Sequence, residues 1–120
     1  MKKLSPILSV MLAILMPSQL KAQEAYAVLT GDTLLTFYYD DKKAERNGMD
    51  VGPFAIPQSR GWYETKGSIT SVVIDSSFAN CTSITSTAYW FEQCFNLTSI
   101  SGLQHLNTSN VTDMEGMFWV

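Results

Sequence analysis

Chemistry in this 120-residue chain would have to come from two cysteines, a single histidine and eleven carboxylates set among many serines and threonines. Cys81 and Cys94 each close an F-x-x-C step, Phe78-Ala-Asn-Cys81 and Phe91-Glu-Gln-Cys94. Two cysteines pair in oxidising compartments and stay reduced in the cytosol. Their matching places in the two steps favour buried thiols that satisfy turns from within, and spacing alone leaves both outcomes open. His105, between Gln104 and Leu106, has no carboxylate or second imidazole at metal-ligand spacing and no orienting partner for general-base work. None of the serines sits in a G-x-S-x-G elbow. A glycosidase needs two carboxyl groups held a fixed distance apart, and nothing singles out Glu64, Asp75 or Glu92 for that task. Asp40-Asp41 lacks the oxygen-ligand spacing of a calcium loop. The expectation is a non-enzyme with no cofactor and no metal.

Asn80-Cys-Thr, Asn96-Leu-Thr, Asn107-Thr-Ser and Asn110-Val-Thr fit the glycosylation sequon. They also recur at turn positions, where an asparagine bonds its own backbone, and the turn explanation is preferred.

The elements that would position these groups fall into two kinds of sequence. Tyr26–Thr30 and Thr33–Tyr39, rich in β-branched and aromatic residues, predict two strands. Gly31-Asp32 is a two-residue hairpin loop between them. Asp40–Arg46 is polar and helix-compatible without an apolar face, and Asn47-Gly48 ends it. Pro53, Pro57 and Gly61 mark a loop that Phe54, Trp62 and Tyr63 would pin by packing.

From Gly67 onward there is no basic residue, the only acids are Asp75, Glu92, Asp113 and Glu115, and Ser, Thr and Asn exceed a third of the residues. Apolar side chains nonetheless recur at regular intervals. Ile69, Val72 and Ile74 carry a strand pattern that Leu97, Ile100 and Leu103 echo. A second echo, offset by 27 residues, aligns Ile84, Thr87, Trp90 and Phe91 with Val111, Met114, Met117 and Phe118, and Asn80 with Asn107. Spacings of three and four put Val111, Met114, Met117 and Phe118 on one side of a short helix or 3₁₀ segment, capped by Thr108, Ser109 or Asn110. Units built from a strand, a turn and a short return bury their apolar edges only by stacking.

Lys2-Lys3 followed by the apolar run Leu4–Met16 and the break at Pro17-Ser18 reads as a secretory signal, too short for a membrane span. Cleavage after Ala22 is preferred to cleavage after Ala27, which would cut into the first strand. Of the eight Lys and Arg residues, three precede that site, leaving five against eleven acids and a formal charge of −6. That balance argues against nucleic acid and against electrostatic docking to anionic lipid.

Asn96 to Phe118, NLTSISGLQHLNTSNVTDMEGMF, resembles the repeat core of the BspA-like family of bacterial leucine-rich-repeat surface proteins. The segments AYAVLTGDTLLTFYYD, GMDVGPF and RGW resemble the leader that precedes such repeats, so the likeness spans residues 24–120. The resemblance implies a non-catalytic, secreted or cell-surface solenoid that binds or adheres to a host or bacterial surface protein or glycan. Where the family's F-x-x-C pattern would continue, the chain reads Met-Phe-Trp-Val, with two units present. The sequence reading is therefore an α+β, mainly β chain: signal peptide 1–22, β-hairpin leader 23–66, and leucine-rich-repeat-like units over 67–120. Cys81, Cys94, Phe91, Phe118, Val111 and Met114 are its structural repeat positions. Alternation along the strands places Ser71, Val73, Asp75, Ser99 and Ser101 outward as the candidate binding face. A structural cap that binds nothing itself, and more remotely a secreted hydrolase dependent on His105, are the competing readings.

Overall fold

The computed structural model describes residues 21–120, so the expected export signal lies outside them except for Lys21 and Ala22. Strands β1 (Glu24–Thr30) and β2 (Leu34–Asp40) pair antiparallel, from Glu24↔Asp40 to Thr30↔Leu34. Gly31 and Asp32 have φ of 56° and 60°, the left-handed values a primed hairpin turn requires. The loop is one residue longer than expected. Thr33 leaves the β1 ladder, and its carbonyl accepts from the amides of Thr70 and Ser71 at 2.9 and 3.2 Å.

Ser71 opens the next strand, and Thr70 immediately precedes it. β3 (Ser71–Ile74) runs parallel to β2, and β4 (Ser99–Ser101) runs parallel to β3, giving a four-stranded sheet in chain order. The remainder is turns and short 3₁₀ segments at Pro57–Ser59, Tyr63–Thr65, Ser76–Asn80 and Leu103–His105. The molecule is a small sheet-rich α+β domain.

Val72 pairs with Ile100 across β3 and β4, an offset of 28 residues. Further along, Ser86 bridges Asp113 in parallel, an offset of 27. The chain thus makes two successive passes, residues 67–94 and 95–120, with the second laid on the first. At Gly102 (φ 78°) a Cβ would collide with the Ile74 carbonyl oxygen, so glycine is what lets the passes touch there.

The inner sheet face carries Ala27, Leu35, Phe37, Val72 and Ile74, all buried. Phe37 is the hub of the core. It stacks on Trp90 at 4.6 Å and meets Trp62, Phe91 and Phe78 edge-on at 5.7, 6.1 and 6.2 Å, arrangements aromatic quadrupoles favour. Phe54 and Trp62 are buried, as their packing role required, and Tyr63 is half-buried with the Lys66 ammonium 3.7 Å above its ring.

Two helical expectations are corrected. Asp40–Arg46 contains a single turn, closed by Arg46 N–H donating to the Lys42 carbonyl. Asn47 (φ 50°) then ends it, with Asn47 N–H donating to Ala44 and Gly48 N–H to Lys43, the Schellman pattern. Without an apolar face the segment has nothing to propagate against. Val111 to Phe118 is not helical at all. It lies alongside the first pass, with Thr112 N–H donating to Thr85 and the amides of Thr87, Tyr89 and Phe91 donating to Asp113, Glu115 and Met117. These cross-pass bonds replace the local bonds a helix would form. Met117 is therefore buried, Val111 half-buried, and Met114 and Phe118 are 52% and 57% exposed.

Candidate functional site

The outer sheet face divides into a closed end and an open end. At the closed end Tyr26 is fully buried and stacks on Tyr38 at 5.5 Å, and its hydroxyl donates to Asp40 Oδ1 at 2.6 Å. Burial and that hydrogen bond hold the Tyr26 hydroxyl well above the usual tyrosine range. Gly48 sits against the Tyr26 ring, and the Arg46 guanidinium covers Tyr38 at 4.2 Å. The turn after β2 thus lies over this end like a flap of backbone.

The open end holds the sequence-predicted residues. Leu34, Ser71 and Ser99 form one row across β2, β3 and β4, and Thr36, Val73 and Ser101 form the next. Ser99 and Ser101 are exposed, Ser71 and Val73 are half-buried, and the Ser71 and Ser99 hydroxyls lie 3.4 Å apart. Strand alternation brings these four together. Asp75 reaches the edge of the face with its carboxylate already engaged. Its Oδ2 accepts from Ser77 N–H at 3.0 Å and caps the 3₁₀ segment Ser76–Asn80. The hydrogen bonds from Ser77 hold its pKa below the ordinary carboxylate value. The result is a patch of small hydroxyls around one valine, suited to hydrogen bonds with an uncharged, extended polar partner.

Sequence reading missed the group that ties leader to passes. Arg60 is 2% exposed, and its guanidinium donates to the carbonyls of Tyr89 (2.6 Å), Trp90 (3.2 Å) and Glu92 (2.8 Å) and to Glu92 Oε1 (2.6 Å). Trp62 Nε1 donates to the Trp90 carbonyl at 2.8 Å, and Trp90 Nε1 donates to Val51 at 2.9 Å. Burial lowers the Arg60 pKa from its ordinary value, and the Glu92 carboxylate partly offsets this. Five donors in a fixed fork suit a cluster of turn carbonyls. The signal available was RGW itself, an arginine beside a tryptophan in an otherwise weakly charged loop.

Both thiols are buried and unbridged. Their places are not equivalent in the period that the fold uses. Cys81 and Cys94 stand 13 positions apart at two corners of one pass, whereas successive passes repeat at 27 to 28. Burial raises the Cys94 pKa, which keeps it a thiol rather than a nucleophilic thiolate.

The sequons behave in two ways. Asn107 accepts from Ser109 N–H at 2.9 Å, the local turn expected of it. Asn96 and Asn110 instead donate across to the first pass, to the carbonyls of Gly67 at 2.6 Å and Thr82 at 2.7 Å.

A cavity of about 370 Å³ opens beside the leader, lined by Lys43, Gly48, Met49, Asp50, Ser59 and Gly61. Its one ammonium, Lys43, is already paired with Asp50, with Glu24 at 3.8 Å. Among the described residues no three His, Cys, Asp or Glu side chains gather as a metal site would need, and no helix is long and apolar enough to cross a membrane. No family model, no curated protein and no solved structure matches the chain.

Proposed function

We propose that this chain is an exported, non-catalytic binding protein of the leucine-rich-repeat kind, similar to BspA-like surface proteins. In this reading the leader caps the start of a solenoid whose sheet face engages a surface or extracellular protein or glycan. The carrying observation is the parallel pairing of Ser71 with Ser99 and of Val73 with Ser101. Stacking at a constant period sets like residues in rows, and rows on an open face are what a repeat protein offers a partner. Export rests on Lys2-Lys3 and the apolar run after them. Cleavage after Ala22 suits the fold better than cleavage after Ala27, because Tyr26 and Ala27 are fully buried in the hairpin.

The test is binding of the 23–120 chain to bacterial cells, immobilised matrix proteins and a glycan panel. Joint replacement of Ser71, Val73, Asp75, Ser99 and Ser101 should weaken any binding found by at least about tenfold, or about 1.4 kcal/mol. Unaltered binding by that variant would refute the face. A second reading, a structural cap, draws on the Arg60 network that fastens the hairpin leader to the first pass. It predicts that the intact chain binds nothing on its own.

A further inference from the structure

We propose that the mature chain is closed at its N-terminus by a modification at Gln23, cyclisation to pyroglutamate, at the head of β1. The inference rests on the export reading. Cleavage after Ala22 makes Gln23 the first residue and gives it a free α-amine. That amine stands within reach of its own side-chain Cδ, and attack there closes a five-membered lactam. The Nα–Cδ bond forms and the Cδ–Nε2 bond breaks. One amine hydrogen passes to the departing nitrogen, which leaves as ammonia, so no oxidant or other co-reactant is consumed.

The fold leaves Gln23 free to react. It is exposed and precedes the strand, and the β1–β2 register begins one residue later at Glu24↔Asp40. Polar contacts at this end of β1 go to its neighbours, Lys21 to Glu45 at 3.2 Å and Lys43 to Glu24 at 3.8 Å, and none among the described residues engages the Gln23 carboxamide. Ring closure therefore takes nothing from the ladder. A first residue two or three positions further along would not have this freedom, because Ala25 is half-buried and Tyr26 is fully buried. Val28, the first residue after the alternative cut at Ala27, has no side-chain amide and forms no ring.

What the ring does for the molecule follows from what lies behind it. Chain ends are where proteolysis concentrates, and here the terminus runs straight into the core. Tyr26 closes the outer face through Asp40, and Ala27 holds Met49 by two backbone hydrogen bonds at 2.9 and 2.8 Å. Loss of Gln23, Glu24 and Ala25 would bring an aminopeptidase to that anchor. A lactam has no α-amine for such an enzyme to grip. The ring also removes an α-ammonium from beside Glu24, whose carboxylate lies 3.8 Å from Lys43. The terminus then neither competes for that carboxylate nor titrates at about pH 8.

The test recovers the exported protein from cells that express the full 1–120 chain and holds it, folded, at neutral pH for several days. Free α-amines are then tagged by reductive methylation before digestion, so that a ring formed during work-up is not counted. Mass spectrometry of the first peptide should show a chain that begins at Gln23, is lighter by one ammonia and carries no α-amine tag. A chain that begins at Gln23 with a tagged amine would overturn the proposal and leave the cleavage reading standing. A chain that begins at Val28 or at any other residue would overturn both. Gln23→Asn supplies the matched open terminus, because its shorter side chain would have to close a strained four-membered ring. Its urea midpoint should equal that of the parent, while a broad-specificity aminopeptidase should trim it and leave the parent intact. Equal behaviour of the two toward that enzyme would overturn the protective role.

Discussion

Residues 67–94 and 95–120 carry the same pattern in the same parallel register, yet they differ in how well they are buried. Ile69, Val72 and Ile84 are buried, whereas Leu97, Ile100 and Val111 at the corresponding places are half-buried. Phe91 is 2% exposed and Phe118 is 57% exposed. The first pass has the hairpin leader on one side and the second pass on the other. The second pass has a neighbour on one side only. Repetition in sequence thus fixes which residues face the stack, while burial, and with it stability, depends on how many neighbours the stack supplies.

The leader's grip on the first pass is where that comparison can be broken most severely. Arg60→Ala should cost about 3–5 kcal/mol in urea unfolding, because it strands the buried carboxylate and carbonyl of Glu92 and takes one donor each from the Tyr89 and Trp90 carbonyls. Arg60→Met combined with Glu92→Met should recover only part of that loss, since the Glu92 carbonyl stays unpaired and those of Tyr89 and Trp90 keep only the Glu92 N–H and Trp62 Nε1 as donors. Full recovery would mean that the charge pair, and not the carbonyl cluster, is what Arg60 serves. The equivalent phenylalanines give the most direct contrast between passes. Phe91→Ala should cost about 3–5 kcal/mol, and Phe118→Ala less than about 1 kcal/mol. Equal losses would remove the distinction between the passes.

Gly102→Ala sharpens the comparison at the point of closest approach. A positive φ and a collision with the Ile74 carbonyl should make it destabilising by more than about 1 kcal/mol. Thr98 and Thr112 amides should then exchange faster, while the β1–β2 amides change little. The smallest effect belongs to Asp75. Asp75→Asn should cost less than about 1 kcal/mol, because an asparagine oxygen still caps Ser77 N–H and only the charge is lost. Because the folded-state pKa of Asp75 is depressed, that contribution is present above the usual carboxylate pKa, about 3.9, and is lost as pH falls through the folded value. The difference between parent and variant in urea titrations should be full at neutral pH and vanish in strong acid.

Much of the frame was legible because its signals are local. Alternation marked both hairpin strands and the buried set Ile69, Val72 and Ile74, and the offset of 27 between Ile84 and Val111 is the offset of the Ser86–Asp113 bridge. The expected hairpin loop is one residue too short, because the Thr33 carbonyl answers to amides 37 and 38 residues away. The expected helix over Val111 to Phe118 failed for a related reason. Capping and spacing speak only for local hydrogen bonds, and here the carbonyls of Asp113, Glu115 and Met117 found partners in the first pass. Cys81 and Cys94 matched in motif but not in period. Arg60 was illegible because arginine belongs to the surface by default, and only the fold brings four acceptors around it. Of the candidate face, Ser71, Val73, Ser99 and Ser101 fell where alternation put them. Asp75 was diverted to its cap, a use visible in Asp75-Ser76-Ser77 once the 3₁₀ segment is known.

The central claim, that the second pass is laid in register on the first, is tested most directly by residue-resolved amide hydrogen exchange of the mature chain. The amides of Thr98 and Thr112, which donate to Thr70 and Thr85, and those of Tyr89 and Phe91, which donate to Glu115 and Met117, should be protected together. They should exchange through a common cooperative opening. Exchange of these four at unstructured-peptide rates, while β1 and β2 remain protected, would contradict the account.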